Sequence, residues 1–482
     1  MVQFRTTTTV VPVQINTPIM RLRSSVEGSV LVPANKGYDE ARRAWNLTVD
    51  QRPAVIVVAK NALDVMESVR FARESKLDIC VQATGHGNLR PANGSLLIVT
   101  ANMQGVHIDP LEKTAWVEAG VKWQAVLEKA HPMGLTPLLG SSSDVGAVGY
   151  TLGGGMGWLA RKYGLSADSV EYFQVVTPAG ELVIASRADH PDLFWALRGG
   201  GGGFGIVVGM QIKLYAVSNV YAGNLYYPIE RAKEVFQHYR DWITYAPDEL
   251  TSSIAIMNYP DLPGLPDFLR GQTFAMVRGC FTGSQARGEA LLQFWREWHP
   301  PLLDDFKWMP FSQSDTISSD PVDPSPTKTT GAWLNDLSDE TLDLLIAYAV
   351  PRSGVPTPLF TEVRHAGGAI AKVSAYASAF THRTTPFSMQ LVGLVGSKEE
   401  KEAFLAYTDQ LKHELGAHLS GGVYLNFLSG DEARQRTSDG YTREAFQRLK
   451  AIKAKYDPDN MFSHSYQIPP VATNTVRSPF SQ

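Results

Sequence analysis

Cysteine is scarce in this chain: Cys80 and Cys280 are the only two in 482 residues. That excludes the disulfide framework of a small secreted domain, and Cys80, inside an apolar run, reads as a small core residue. No apolar stretch approaches the length that spans a bilayer. Residues 1–14 hold a threonine run and one arginine but no apolar segment of the kind a secretory signal needs. Charge of one sign is also lacking. Forty-four lysines and arginines face 48 aspartates and glutamates, so the net charge of −4 gives no field to draw in nucleic acid or an anionic membrane. The glycosylation-type patterns at Asn46 and Asn93 carry no weight without a signal. No internal repeat is evident, and no metal is expected. What remains is 44% hydrophobic and long enough for two or more domains with cores of their own. These properties fit a cytoplasmic enzyme better than a scaffold.

Glycine, by contrast, is plentiful and concentrated in three places. Pro53–Ala59 is a continuous apolar run, the mark of a strand buried on both faces. Asn61 is placed to cap a helix through Ser75, with Leu63, Val65, Met66, Val69 and Phe71 as its apolar positions. The strand Asp78–Gln82 then completes a β-α-β unit with a right-handed crossover. The first glycine cluster, Ala83-Thr-Gly-His-Gly-Asn88, follows at the carboxyl end of that strand, where open α/β sheets place ligands. Gly85 and Gly87 let the backbone approach a ligand closely, and exposed N–H groups in such a turn form an anion-binding concavity. His86 is the side chain there that titrates near neutrality. Taken alone, the turn reads as no more than a tight bend with a surface histidine.

Short strands at Leu96–Thr100, Gly105–Ile108 and Ala115–Ala119 and a helix at Trp123–Met133 lead to the second cluster, Gly140–Gly157. Long glycine-rich loops inside compact domains are usually functional or disordered. Val145, Val148, Leu152 and Trp158 are interleaved with these glycines, so the stretch reads as ordered backbone laid against a flat or phosphate-bearing ligand. The third cluster, Gly199–Gly205, can be forced onto a dinucleotide-binding fingerprint. That fingerprint needs a strand before it and a helix after it. Here a helix, Pro191–Leu197, precedes and a strand, Ile206–Leu214, follows, so the match fails. From about Val220 the texture changes. Extended segments at Leu225–Tyr227, Ser252–Met257, Gln272–Cys280, Leu359–His365 and Phe387–Val395 alternate with helices near Ile229–Tyr245, Ala286–Trp298, Asp339–Ala347 and Glu399–Leu415. This predicts an antiparallel sheet covered by helices, in an α+β chain. Pro-rich Pro260–Pro266 and Asp320–Thr327 read as loops.

Seven pieces stand in one order along the chain. They are Arg52-Pro-Ala-Val-Ile-Val; Ala83-Thr-Gly-His-Gly; Gly153-Gly-Gly-Met-Gly; Arg161-Lys-Tyr-Gly-Leu165; Asp192-Leu-Phe-Trp-Ala-Leu-Arg-Gly-Gly-Gly; Gly367-Gly-Ala with His382-Arg383; and Asp457-Pro-Asp-Asn with Ile468-Pro-Pro. Together they resemble the FAD-linked oxidases of the berberine bridge enzyme family, within the vanillyl-alcohol oxidase/p-cresol methylhydroxylase (PCMH) superfamily. The likeness runs from Tyr38 to Pro470. It implies a two-part PCMH-type FAD-binding domain over residues 1–218 (core about 48–218), a substrate domain over 219–422, and a segment over 423–482 that returns to the FAD domain. By the same resemblance, FAD is bonded covalently through His86, whose neutral imidazole attacks the flavin 8α-methyl carbon in its quinone-methide form. The turn residues Ala83, Thr84, Gly85, Gly87 and Asn88 would hold the cofactor. So would Ser142, Asp144, Gly146, Gly149, Gly153 and Gly154 of the second cluster, Gly205, Ile206 and Val208 of the third, and Asn426.

Two departures from the family pattern matter. Many relatives carry a second flavin link through a cysteine two residues beyond the position of Gly140; here Ser142 stands there, and an alcohol is a far weaker nucleophile than a thiolate. A single tether is expected. The family's Tyr-x-Asn-Tyr motif reads Tyr424-Leu-Asn-Phe427, and Phe427 accepts no proton, so the common base is missing. The candidate catalytic groups are then Glu362, Arg364, Gln390, Tyr424 and Tyr150. Strand alternation puts Glu362 and Arg364 on one face and His365 on the other; a surface ion pair is the plainer reading of the first two. His382-Arg383 reads as a structural turn. The resemblance implies oxidation of a small organic substrate (an alcohol, phenol or other secondary metabolite) with molecular oxygen as acceptor, giving hydrogen peroxide. The alternatives are a carbohydrate hemiacetal oxidase and a dehydrogenase that uses another acceptor.

Overall fold

In the computed structural model, residues 16–87 and 89–471 are described. Three sheets organise them. The first is four-stranded, in the order Ser29–Leu31, Val55–Val58, Leu96–Val99, Ile79–Gln82; its last three strands are parallel. Val55 and Val57 point into one core with Ile79, Leu96 and Ile98, while Ile56 points into another with Cys80, Leu97 and Val99. The continuous apolar run is thus buried on both faces, as its composition requires. Burial pushes the Cys80 thiol up to about 12, so this cysteine is an inert core residue. The helix Ala62–Ser75 starts where the Asn61 side chain accepts the Asp64 N–H at 3.0 Å, and ends at Lys76 in the left-handed region. The Asp64 carboxylate in turn accepts the N–H groups of Glu27, Gly28 and Lys60 and ties the N-terminal elements to this unit.

A five-stranded antiparallel sheet follows, in the order Val106–Asp109, Thr114–Glu118, Ile206–Lys213, Val170–Val176, Leu182–Ser186. The third sheet has eight strands. Its order is Leu303–Asp304, Asn219–Pro228, Thr273–Phe281, Leu250–Asn258, Phe360–His365, Phe387–Leu394, Thr327–Leu334, with Lys307–Pro310 also on the edge of Asn219–Pro228. Helices Ala232–Ile243, Gln285–Trp298, Asp339–Ala349 and Lys398–Leu415 cover one face, where Ile254, Ile256, Val277, Val363 and Leu391 meet Tyr239, Trp295, Leu345 and Phe404. The period of two then sends Ser253, Arg278, Glu362, Arg364 and Gln390 to the uncovered face, which turns toward the glycine-rich clusters. No helix among the described residues is long and apolar enough to cross a membrane.

The α+β architecture read from the sequence is the one found, with local differences. Strand Leu96–Val99 lies between the two strands of the expected β-α-β unit and pairs with both. The spacing of Tyr38, Ala41, Ala44 and Trp45 predicts a helix through Trp45, but the helix stops at Ala41, because Trp45 and Asn46 donate instead to the carbonyls of Thr84 and Gly85. Within Gly140–Gly157, residues Ala147–Leu152 form a short helix. Strand Thr327–Leu334 was invisible because it is mostly polar or small and owes its conformation to pairing along Phe387–Leu394. Helix Asn16–Ser25 packs Ile19 and Leu22 on the first core, a spacing hidden among polar residues.

Candidate active site

The turn after strand Ile79–Gln82 is shaped by glycine. Gly85 has φ 82°, and a Cβ there would lie 2.7 Å from the Ala44 Cα and 2.8 Å from the Trp45 nitrogen, so no other residue fits. His86 sits on this turn with its ring stacked on Trp45, centroids 4.3 Å apart and planes at 16°. Its Nδ1 lies 2.8 Å from Thr84 Oγ1, and its Nε2 lies 3.9 Å from a carboxylate oxygen of Asp144, which is itself paired with Lys122 at 2.5 Å. Burial pushes the imidazole down to about 4, the nearby Asp144 opposing the shift and Lys122 adding to it. The ring is therefore neutral at physiological pH, the form in which an imidazole nitrogen is a nucleophile.

Beside this turn runs a cleft walled by backbone. Of the residues the sequence assigned to a cofactor, Ala83, Gly87, Gly149, Gly153, Gly205 and Ile206 line it, together with Leu152, Gly201 and Gly202. A Cβ at Gly87 or Gly149 would meet nothing within 4 Å, so these positions keep the cleft open to a bulky group. At Gly153 it would fall 1.8 Å from Asn426 Oδ1, which shows why that glycine lets the C-terminal segment in. Gly154, at φ 111°, packs against Phe380 in the same turn. Ser142, Asp144 and Gly146 lie on the His86 side: Ser142 Oγ accepts the Asp144 N–H at 3.2 Å, and a Cβ on Gly146 would be 3.6 Å from that of Ala83. Val208 is not in the cleft; it is buried in the core below with Val176. Asn88 lies outside the described residues. The far wall comes from Phe462, His464, Ser465 and Tyr466, which no local signal in the sequence pointed to. They arrive because buried Lys453 donates to the Gly203 carbonyl and to Asp457, and Met461 accepts the Ile79 N–H. A flat, phosphate-bearing cofactor fits a cleft of this kind, walled by glycines and bordered by a neutral histidine.

The uncovered face of the large sheet supplies the polar groups opposite. Glu362 is 0% exposed and accepts from Ser253 Oγ at 2.7 Å, Arg364 Nε at 2.7 Å and Arg278 Nη1 at 3.3 Å. Burial alone would raise its carboxyl, but Arg364 and Arg278 hold it at about 2. Neither the surface ion pair nor a proton-accepting Glu362 survives this geometry: its oxygens are committed to the two guanidinium groups. Arg364 lies over the Phe427 ring at 5.1 Å, so a cation covers the side chain standing where the motif tyrosine is expected. Gln390 is the register partner of Glu362, and its Oε1 is buried without a hydrogen-bond partner. The buried Tyr150 hydroxyl is likewise unpartnered. Tyr424 differs. Its oxygen accepts the Gly155 and Met156 N–H groups at 3.1 and 2.9 Å and the Asn426 amide at 3.0 Å, and Asn426 also donates to the Tyr150 carbonyl at 3.0 Å. Tyr424 and Asn426 thus stitch the Gly153–Met156 turn in place. His365, on the opposite face as expected, meets Arg161 at 3.1 Å. Arg383 closes a structural turn by a two-pronged bond to Asp168.

Residues 53–186 match the FAD binding domain family, and residues 423–469 match the berberine and berberine-like family. The cleft described above is built from those two segments and the Gly199–Gly205 cluster. The chain carries the FAD-binding and berberine-like domains of an FAD-linked oxidoreductase. Similar proteins include an FAD-linked oxidoreductase of Bacillus subtilis, YvdP, 28% identical over 459 residues that cover 93% of this chain and 99% of that protein. Another is the (R)-6-hydroxynicotine oxidase of Paenarthrobacter nicotinovorans, 26% identical over 475 residues, covering 92% and 97%. Among solved structures, 6-hydroxy-D-nicotine oxidase from Arthrobacter nicotinovorans shares the fold at TM-score 0.79 and 22% identity over 92% of this chain and 98% of that one. A chitooligosaccharide oxidase shares it at TM-score 0.81 and 21% identity, over 94% and 100%.

Proposed function

We propose that this oxidoreductase is an oxidase that holds one FAD covalently through His86 and oxidises a small organic substrate, an alcohol, phenol or related secondary metabolite, with molecular oxygen as acceptor. The observation that carries this reading is the neutral, stacked His86 on the turn whose Ala83 and Gly87 line the glycine-walled cleft. When bound, FAD supplies the redox chemistry and the protein supplies position and electrostatics. Ser142 supports a single tether, since its hydroxyl is held by the Asp144 N–H and is no thiolate. A protein that stays yellow through acid precipitation, and a His86→Ala variant that releases its flavin under the same treatment, are the expected results. Colourless precipitate from the unaltered protein overturns the tether. Reoxidation of the reduced enzyme by air within seconds is expected of an oxidase; survival of the reduced form in air makes it a dehydrogenase.

Of the candidate catalytic groups, Arg364, Gln390 and Tyr150 are left to meet a ligand on the substrate side. Glu362 positions Arg364, and Tyr424 positions the Gly153–Met156 turn. The unpartnered Tyr150 hydroxyl is free to bond a substrate oxygen and to relay its proton. Tyr150→Phe should therefore lower kcat/KM by about 10²-fold, the lower end of what a positioned acid–base group contributes, with FAD content unchanged. Unaltered kcat/KM would remove Tyr150 from the reaction. Phe427 in place of the motif tyrosine favours this class of substrate over an oligosaccharide.

A further inference from the structure

Trp45 lies far from the glycine clusters in sequence, and nothing about the cofactor cleft requires it. Its side chain nevertheless forms a floor under the candidate tether. The indole ring is stacked on the His86 imidazole at 4.3 Å and 16°. It is fixed from the other side as well: its Nε1 donates to the Val322 carbonyl at 2.8 Å, in the segment that leads to strand Thr327–Leu334. The backbone is held as firmly. The Trp45 N–H donates to the Thr84 carbonyl at 3.1 Å and Asn46 to the Gly85 carbonyl at 3.3 Å, while Ser325 donates to Trp45 and Leu47 to Ser325, both at 3.1 Å. The Asn46 side chain, buried, donates to the Thr327 carbonyl at 3.0 Å. Residues 45–47 are thus laid between the histidine turn and a segment of the large-sheet region.

We propose that Trp45 is the positioning residue for covalent attachment of FAD at His86, setting the plane of the imidazole so that a ring nitrogen faces the flavin methyl carbon. The proposal rests on the tethered-flavin reading above. In the attachment, a bond forms between the imidazole nitrogen and that carbon. One methyl hydrogen and the imidazole N–H hydrogen pass, with two electrons, to the flavin ring, and dioxygen then removes both as hydrogen peroxide. The nucleophile acts only with its lone pair aligned, and a displacement of about 1 Å in such a step costs on the order of 10²-fold in rate. Without the indole, the ring keeps one hydrogen bond, from Nδ1 to Thr84 Oγ1, and an approach of Nε2 to Asp144 at 3.9 Å that is too long to fix its plane. Burial beneath the indole also keeps the imidazole in its neutral form.

The test compares Trp45→Ala, Trp45→Leu and Trp45→Phe with the unaltered protein and with His86→Ala. Two quantities are read: total FAD bound to the native protein, and the fraction that stays with the chain after acid precipitation. Trp45→Phe, which keeps a stacking ring, should retain most of the acid-stable flavin. Trp45→Leu and Trp45→Ala should bind FAD in near-normal amount yet release most of it on acid treatment, and apoprotein reconstituted with FAD should show attachment slowed by about 10²-fold. Should Trp45→Ala fail to fold, the leucine and phenylalanine variants still separate bulk from ring. Leucine or alanine variants that tether FAD at the normal rate overturn the proposal, and so does a phenylalanine variant as deficient as leucine. If the unaltered protein itself releases its flavin like His86→Ala, the tether is wrong and the role of Trp45 falls with it.

Discussion

Two partly buried histidines and one buried acid define the residue scale. His86 is held near 4 and His365 near 3, each by burial, with Arg161 adding to the second. Both are lowered from an ordinary value of 6.5, so between that value and the folded ones the unfolded chain binds more protons than the folded chain. Their contribution to stability is complete above pH 6.5 and is lost as pH falls toward 4. A shift of this size in His86 corresponds to roughly 3 kcal/mol. Denaturant midpoints should fall steadily from pH 7 to pH 4, and His86→Asn should flatten part of that slope; an unchanged slope would mean that the imidazole is open to water. Glu362, also held below its ordinary value, acts through its charge. Its carboxylate neutralises one of two buried guanidinium groups, so Glu362→Gln leaves Arg278 and Arg364 facing each other without a counter-charge. Breaking a buried ion pair on one side costs about 3–5 kcal/mol. A large loss of stability is therefore expected together with loss of activity. A stable, inactive Glu362→Gln protein would instead return Glu362 to the chemistry.

At the scale of elements, what was legible depended on whether a segment's pattern is set locally. The doubly buried strand Val55–Val58, the Asn61-capped helix and the alternating strands of the large sheet carry their own periodicity, and each stands where the pattern put it. Thr327–Leu334 and the short Tyr38–Ala41 helix do not, because partners distant in sequence decide their conformation. The same division runs through the site. The glycine clusters could be read because a backbone that must approach a ligand needs glycine, and His86 was singled out through the resemblance its turn carries. The stacking of Trp45 on His86 and the far wall at Phe462–Tyr466 could not, since both are delivered by contacts between distant elements. The C-terminal helix Arg443–Tyr456 delivers that wall through one buried pair, Lys453 and Asp457, whose carboxylate also accepts the N–H groups of Met461 and Phe462. Asp457→Ala strands the ammonium and two backbone donors at once. About 3–5 kcal/mol should be lost, with weaker FAD retention in any variant that cannot tether. Tight non-covalent FAD in an Asp457→Ala, His86→Ala double variant would show that the returning segment is dispensable for the cleft.

For the whole molecule, the question is whether the glycine-rich part and the large sheet unfold together. Their contact is apolar where Met156, Ala160 and Leu165 meet Trp333, Ala366 and Phe427, but it is pinned by buried arginines. Arg161 reaches across to the carbonyls of Leu250 and Ala366, and Arg383 reaches back to Asp168 at 2.7 and 3.0 Å while only 1% exposed. A guanidinium so placed has no route to water unless the two parts separate, and separation leaves Asp168 unpaired as well. Opening the interface therefore carries most of the cost of unfolding, and one cooperative transition should be seen by calorimetry and by flavin fluorescence at the same temperature. Asp168→Ala tests this directly. It leaves Arg383 buried beside Arg198 with no counter-charge, a loss of about 3–5 kcal/mol. At this chain length 1 kcal/mol moves the midpoint by roughly 1 °C, so Tm should drop by about 3–5 °C with the two signals still coincident. Replacing both partners, as Asp168→Leu with Arg383→Met, should cost less than either change alone, because no charge is then stranded. Two separated transitions in the unaltered protein, or a double replacement as harmful as the sum of the single ones, would show that the arginine bridge does not couple the parts.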